Sequence, residues 1–86
     1  MNNNISRQII KDSKGNIWQT TLGGLFKINP KTNEFVVYLH ENNNPESISS
    51  RNTTAILEDQ PGQIWVGTFD HGLNCLDPQT ERFTHF

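Results

Sequence analysis

The sequence predicts an all-β chain of two four-stranded antiparallel units, and three observations carry that prediction. The chain repeats itself, each copy splits into strand-sized apolar segments separated by turn residues, and no segment of useful length has the period of an amphipathic helix. The first copy runs Ile9-Ile10-Lys11-Asp12-Ser13-Lys14-Gly15-Asn16-Ile17-Trp18-Gln19-Thr20-Thr21, and the second runs Ile56-Leu57-Glu58-Asp59-Gln60-Pro61-Gly62-Gln63-Ile64-Trp65-Val66-Gly67-Thr68. An offset of 47 matches Ile9 to Ile56, Asp12 to Asp59, Gly15 to Gly62, Ile17 to Ile64, Trp18 to Trp65 and Thr21 to Thr68. One residue is then inserted in the second copy, and an offset of 48 matches Gly24-Leu25 to Gly72-Leu73, Pro30 to Pro78, Thr32 to Thr80 and Phe35 to Phe83. A period in the forties with several short strands per unit is the mark of a β-propeller or a related array, whose units cannot bury their apolar faces alone.

Each copy yields its strands in order. Gln8-Ile9-Ile10-Lys11 is the first, closed by Asp12-Ser13-Lys14-Gly15, with Asp opening and Gly ending a type I turn. Ile17-Trp18-Gln19-Thr20-Thr21 follows, rich in β-branched and aromatic residues. Gly23-Gly24 punctuates, and Leu25-Phe26-Lys27-Ile28 is the third strand, with Phe26 and Ile28 on one face. Asn29 to Asn33 turns the chain into Phe35-Val36-Val37-Tyr38-Leu39. The second copy repeats the order with Thr54–Leu57, Ile64–Thr68, Leu73–Leu76 and Phe83–Phe86. The expected organisation is a blade over 5–40, a connector over 41–52 and a second blade over 53–86. The connector is polar with one apolar residue, Ile48, and two roles fit it. It is a solvated loop, or Ile48 anchors a crossing from the outer strand of one blade to the inner strand of the next.

Composition narrows the function. With 86 residues the chain holds at most one small domain, and 33% hydrophobic content is a thin supply for a closed core. A net charge of −2 offers no basic stripe for a phosphate backbone, so no nucleic-acid partner is expected. No apolar run approaches the ~18 residues that a membrane span needs. The polar start Met1-Asn2-Asn3-Asn4 lacks the form of a signal peptide, which implies a cytoplasmic chain if Met1 is the natural start. The single cysteine, Cys75, excludes an internal disulfide.

The combined motif resembles the two-component regulator propeller repeats. That pattern is an apolar pair, Asp, a Gly turn, apolar-Trp-apolar-Gly-Thr, Gly-Leu, Asp-Pro, Thr and an aromatic. The second copy carries it as Ile56-Leu57-Glu58-Asp59, Gly62-Gln63-Ile64-Trp65-Val66-Gly67-Thr68, Gly72-Leu73-Asn74, Asp77-Pro78-Gln79-Thr80 and Phe83, with Asn44-Pro45-Glu46-Ser47-Ile48-Ser49 in the connector. The first copy departs at Thr20, where Gly is usual, at Asn29, where Asp is usual, and by one residue missing before Gly24. The resemblance implies a periplasmic propeller at the input end of a hybrid two-component sensor, with a carbohydrate-type ligand and no cofactor.

Single residues have plainer and sharper roles. Trp18 and Trp65 suit either a platform for a sugar ring or the large buried residues that fill the wedge between blades. Their equivalent positions favour the second role, because a ligand site is rarely repeated identically. Asp12 and Asp59 each open a turn and are not a catalytic pair. Gly15, Gly62, Gly24 and Gly72 are expected as permissive turn or bulge positions, and Thr21 and Thr68 as hydroxyl ties from strand to turn. His40, His71, His85 and Cys75 lack a zinc-ligand pattern, and no nucleophile–base constellation is present, so no metal and no enzyme activity are expected. Ligand contact is expected at Arg7, Arg51, Asn52, Asp70 and His71, which lie at strand ends and differ between the copies.

Two blades fall short of the 4–8 of a typical propeller. If each terminal blade leaves on the order of 400 Å² of apolar face uncovered, covering one face is worth roughly 10 kcal/mol as an upper bound. The partners expected are therefore other blades, in the same longer chain or in identical chains, where a trimer gives six blades and a tetramer eight. The alternative to a sensor segment is a stand-alone interaction module that closes head to tail into a propeller.

Overall fold

The computed structural model describes residues 6–77 and 79–86. Residue 5, the expected start of the first blade, and Pro78 of the repeat motif lie outside the described residues. The chain forms eight strands: β1 (Ser6–Lys11), β2 (Ile17–Thr21), β3 (Gly24–Asn29), β4 (Glu34–Tyr38), β5 (Thr53–Glu58), β6 (Ile64–Thr68), β7 (Leu73–Asp77) and β8 (Arg82–His85). They make two four-stranded antiparallel meanders, β1-β2-β3-β4 and β5-β6-β7-β8, and the described residues contain no helix. The overall extents of 33 × 32 × 20 Å fit two sheets stacked face to face at about 10 Å.

Register repeats with sequence. Trp18 stands opposite Ile10 and Lys27, and Trp65 opposite Leu57 and Cys75. Both first strands slip by one residue near the start, between Ser6 and Gln8 and between Thr53 and Ala55, so Arg7 and Thr54 occupy equivalent bulges. The β3–β4 and β7–β8 turns are also equivalent. Asn33 and Glu81 both take positive φ, at 62° and 60°, and donate their amides back to Asn29 and Asp77 at 2.8 and 2.7 Å. Glu81 holds this uncommon backbone while its carboxylate accepts the Tyr38 hydroxyl at 2.8 Å.

The period of two in each strand sends alternate residues to opposite faces. On one face of the first sheet Trp18, Leu25 and Tyr38 are buried, and on one face of the second Ile56, Ile64, Val66, Leu76 and Phe83 are buried. These two faces meet and form the core together with Ile48. Tyr38 bridges them, stacked on Trp18 at 6.0 Å and edge-on to Phe83 at 5.6 Å. The remaining faces are open: Ile9 and Phe35 project from the first sheet, and Leu57, Leu73 and Phe86 from the second.

Polar contacts fix the angle between the sheets. The buried Thr53 hydroxyl donates toward the Thr21 and Gly24 carbonyls at 2.9 and 3.0 Å and accepts the Thr21 amide at 2.9 Å. Glu58 receives the Ser13 amide and hydroxyl, each at 2.8 Å, and the Gln8 side-chain carbonyl receives the Ile56 amide at 2.9 Å. Of the two roles open to the connector, the anchored one is found. Ile48 is fully buried, Ser47 and Ser50 nearly so, and the Glu46 carbonyl accepts the Phe83 amide at 2.8 Å. Buried Asn74 clasps Ser49 with both ends of its amide, accepting the backbone N–H at 3.0 Å and donating to the hydroxyl at 2.8 Å.

Candidate functional site

One rim of the sheet pair gathers four of the five residues expected to meet a ligand. Its floor is the start of β5, its walls the start of β1 and the β6–β7 turn. The β1 bulge re-aims Arg7 across the sheet boundary, where its guanidinium donates to the Asn52 side-chain oxygen and, at 3.0 Å, to the Thr53 carbonyl. The Asn52 carbonyl in turn accepts the Phe69 amide at 2.9 Å, which ties this pair to the turn. In the turn, His71 Nδ1 lies 3.1 Å from the Asp70 carboxylate. Arg51 stands exposed beside the group, with its carbonyl accepting the Thr53 amide. No side-chain bond draws Arg51 into the cluster among the described residues.

The turn is held by hydroxyls. Thr68 donates to the Gly72 carbonyl at 2.8 Å and accepts the His71 amide at 2.9 Å, while Ser49 donates to the His71 carbonyl at 3.0 Å. Hydrogen bonds from His71 and from the Ser50 hydroxyl keep the Asp70 carboxyl below its usual range. The Ser50 hydroxyl also accepts the Asn52 amide at 3.0 Å, which ties the connector to the rim.

Sequence reasoning missed Phe69. It is 77% exposed and stands beside Asp70 on the same turn, an apolar ring among donors and acceptors. The available signal was the inserted residue, since Phe69-Asp70-His71 replaces Leu22-Gly23 of the first copy. An aromatic face flanked by fixed hydrogen-bonding groups suits a polyhydroxylated or anionic ligand. The opposite rim carries a polar depression of about 460 Å³, bordered by Lys14, Gln63, Asp77 and Gln79. Among the described residues no cluster of histidine, cysteine or carboxylate side chains is arranged to hold a metal.

A second feature is a groove of about 720 Å³ on the open face of the second sheet, lined by Ala55, Leu57, Trp65, Gly67 and Leu73. Its tryptophan, Trp65, is only half-buried and tilts against Phe86 at 5.2 Å. Trp18 is fully buried in the equivalent place. Among the described residues the second sheet covers Trp18, and no sheet covers Trp65.

Two stacked four-stranded meanders, each with the same turns and the same buried-face pattern, are adjacent blades of a β-propeller. Residues 47–70 match the family model described as two component regulator propeller, so this stretch is a repeat of that type. Among solved structures the chain is similar to one described as the extracellular domain of a hybrid two component system from B. thetaiotaomicron. The TM-score is 0.89 and the identity 29%, over 94% of this chain and 12% of that one. No curated protein matches the sequence. Among the described residues no helix is long and apolar enough to cross a membrane.

Proposed function

We propose that the chain is a two-blade, non-catalytic segment of a periplasmic ligand-sensing propeller, of the kind that forms the input domain of hybrid two-component sensors. Residues 5–40 and 53–86 are its blades and 41–52 its connector. The observation that carries this reading is the likeness, over 94% of the chain, to an extracellular two-component domain of which the chain spans only 12%. Further blades cover the two open faces. The ligand is of carbohydrate type and meets the rim of Arg7, Arg51, Asn52, Asp70 and His71, with Phe69 offering its ring. Calorimetric titration with a panel of neutral and acidic oligosaccharides tests the reading. Saturable binding without turnover, weakened by Phe69→Ala and by Arg7→Ala, is expected. Heatless titration across the whole panel, or release of shortened sugar, would sink it. The second reading, a stand-alone module that completes its own propeller, is favoured by the match between the two open faces.

A further inference from the structure

The turn that carries Phe69, Asp70 and His71 is held at three backbone points, and two of them are answered from the connector. The Phe69 amide donates to the Asn52 carbonyl at 2.9 Å, and the His71 carbonyl accepts the Ser49 hydroxyl at 3.0 Å. The remaining one, the His71 amide, donates to the Thr68 hydroxyl at 2.9 Å. Ser49 is itself fixed from inside the sheet. Asn74 of β7 is fully buried, and its amide meets the Ser49 backbone N–H at 3.0 Å and the Ser49 hydroxyl at 2.8 Å. A backbone N–H can only donate, which places the Asn74 oxygen on that N–H and its NH2 group on the hydroxyl. A serine hydroxyl has a single proton. With Asn74 donating to its oxygen, that proton goes to the His71 carbonyl, so a buried side chain sets the direction of the relay.

The first copy has neither part of this arrangement. Phe26 stands at the position of Asn74 and has no polar side-chain group, and the β2–β3 turn lacks the inserted residue. The polar clasp and the lengthened turn occur together, in the copy whose turn supplies the rim with Phe69. The connector that carries Ser49 is also bound to both blades, by Arg7 on the Asn52 side chain and by the Phe83 amide on the Glu46 carbonyl at 2.8 Å. The turn is thereby referenced to both blades as well as to its own hairpin.

We propose that Asn74 is a positioning residue of the rim: acting through Ser49, it sets the Phe69–His71 turn at the angle at which ring and imidazole meet a ligand. The ligand contact rests on the sensing reading, and the setting of the turn does not. Ser49→Ala removes the relay and keeps the backbone bond to Asn74, while Asn74→Leu removes both at similar volume. In each variant the Phe69 and His71 resonances should move in nuclear magnetic resonance spectra. The Trp18 indole N–H, bonded to Asp12 at 2.7 Å on the opposite rim, should keep its shift. Ser49→Thr keeps a hydroxyl and should return the turn resonances to the parent positions. In calorimetry with the panel of neutral and acidic oligosaccharides, Ser49→Ala should bind about tenfold more weakly and Ser49→Thr like the parent. Unmoved Phe69 and His71 resonances in Ser49→Ala overturn the proposal, and so does a moved turn with undiminished sugar affinity. Should Asn74→Leu lose its dispersed spectrum, Ser49→Ala carries the test alone. Heatless titration of the parent chain would fail the sensing reading only, and the resonances would still decide whether Asn74 and Ser49 set the turn.

Discussion

Trp18 and Trp65 occupy the same place in two sheets of the same register, each six residues after an Asp and three after a Gly. Trp18 is sealed. It stacks on Tyr38, carries the Lys27 ammonium 5.5 Å from its ring centre and donates its indole N–H to Asp12 at 2.7 Å. Asp12 also accepts the Lys14 and Asn16 amides, each at 2.9 Å, and so joins strand, turn and core. Trp65 has Phe86 beside it and open groove above it, and among the described residues its indole makes no bond to Asp59. The motif is therefore half of a structure. It supplies the indole and its carboxylate, and the next blade supplies the cover that brings them together.

The sharpest test of that contrast is truncation. Trp18→Ala should lower the unfolding free energy by about 3–5 kcal/mol, the usual cost of emptying a large core site. Trp65→Ala should lower it by less, about 1–2 kcal/mol in the isolated chain, since the ring is only partly covered. Urea denaturation reads both. Equal losses would mean that Trp65 is covered in solution, and dilution would then separate the two values if the cover is a second copy.

Much of the architecture was legible because the signals are local. Asp12 to Gly15 and Asp59 to Gly62 mark the first hairpin of each blade, and alternation marks the faces. The burial of Trp65 was not legible, because an identical residue in an identical motif differs only in what lies opposite. Asn74 was not legible either. It replaces Phe26 of the first copy and yet is fully buried, since Ser49 of the connector answers both ends of its amide. The contacts between blades join non-equivalent residues, such as Gln8 to Ile56 and Glu58 to Ser13, and no repeat alignment brings these together. At the rim, strand ends that differ between copies pointed to Arg7, Arg51, Asn52, Asp70 and His71, and all but Arg51 join through side-chain or turn hydrogen bonds. They did not point to Phe69, whose apolar type reads as core until the turn exposes it.

The β2–β3 and β6–β7 turns offer a second contrast. Gly24 has φ of 127°, and a Cβ placed there would lie 2.8 Å from the Tyr38 carbonyl and 2.9 Å from Leu39. Backbone cannot yield as a flexible side chain does, so Gly24→Ala should cost about 3 kcal/mol. Gly72 has φ of 78° and a looser neighbour, the Phe86 carbonyl at 3.0 Å near the chain end. Gly72→Ala should cost about 1–2 kcal/mol, mostly for the left-handed backbone. If the order reversed under thermal denaturation, the second turn would be the more constrained one and the open-face picture would be wrong.

The threonines of these turns should follow the same order with smaller effects. Thr21 is buried, donates to the Gly24 carbonyl at 2.7 Å, accepts the Gly23 amide at 3.0 Å and has its own amide bound by Thr53. Thr21→Val leaves those groups unmatched away from water and should cost about 1–3 kcal/mol. Thr68 makes the corresponding bonds where water can replace them, so Thr68→Val should cost under about 1 kcal/mol. Parity between the two variants in urea would show that the second turn is buried in solution.

The smallest expected effect separates the blades by acid. Burial raises the Asp12 carboxyl, but the Trp18 indole N–H and the Asn16 and Lys14 amides outweigh it and hold the group below its ordinary 3.8. The folded state therefore takes up this proton less readily than the unfolded one. The contribution is fully present above about pH 4 and is lost as pH falls through the lowered folded value. Glu58 and Asp70 also ionise below their usual range, so the acid limb is shared and only a difference isolates Asp12. Asp12→Asn should flatten the fall of melting temperature between about pH 4 and 2 relative to the parent chain. An unchanged slope would mean that the indole–carboxylate bond of the sealed blade does not outlast solvent, and that cover alone distinguishes Trp18 from Trp65.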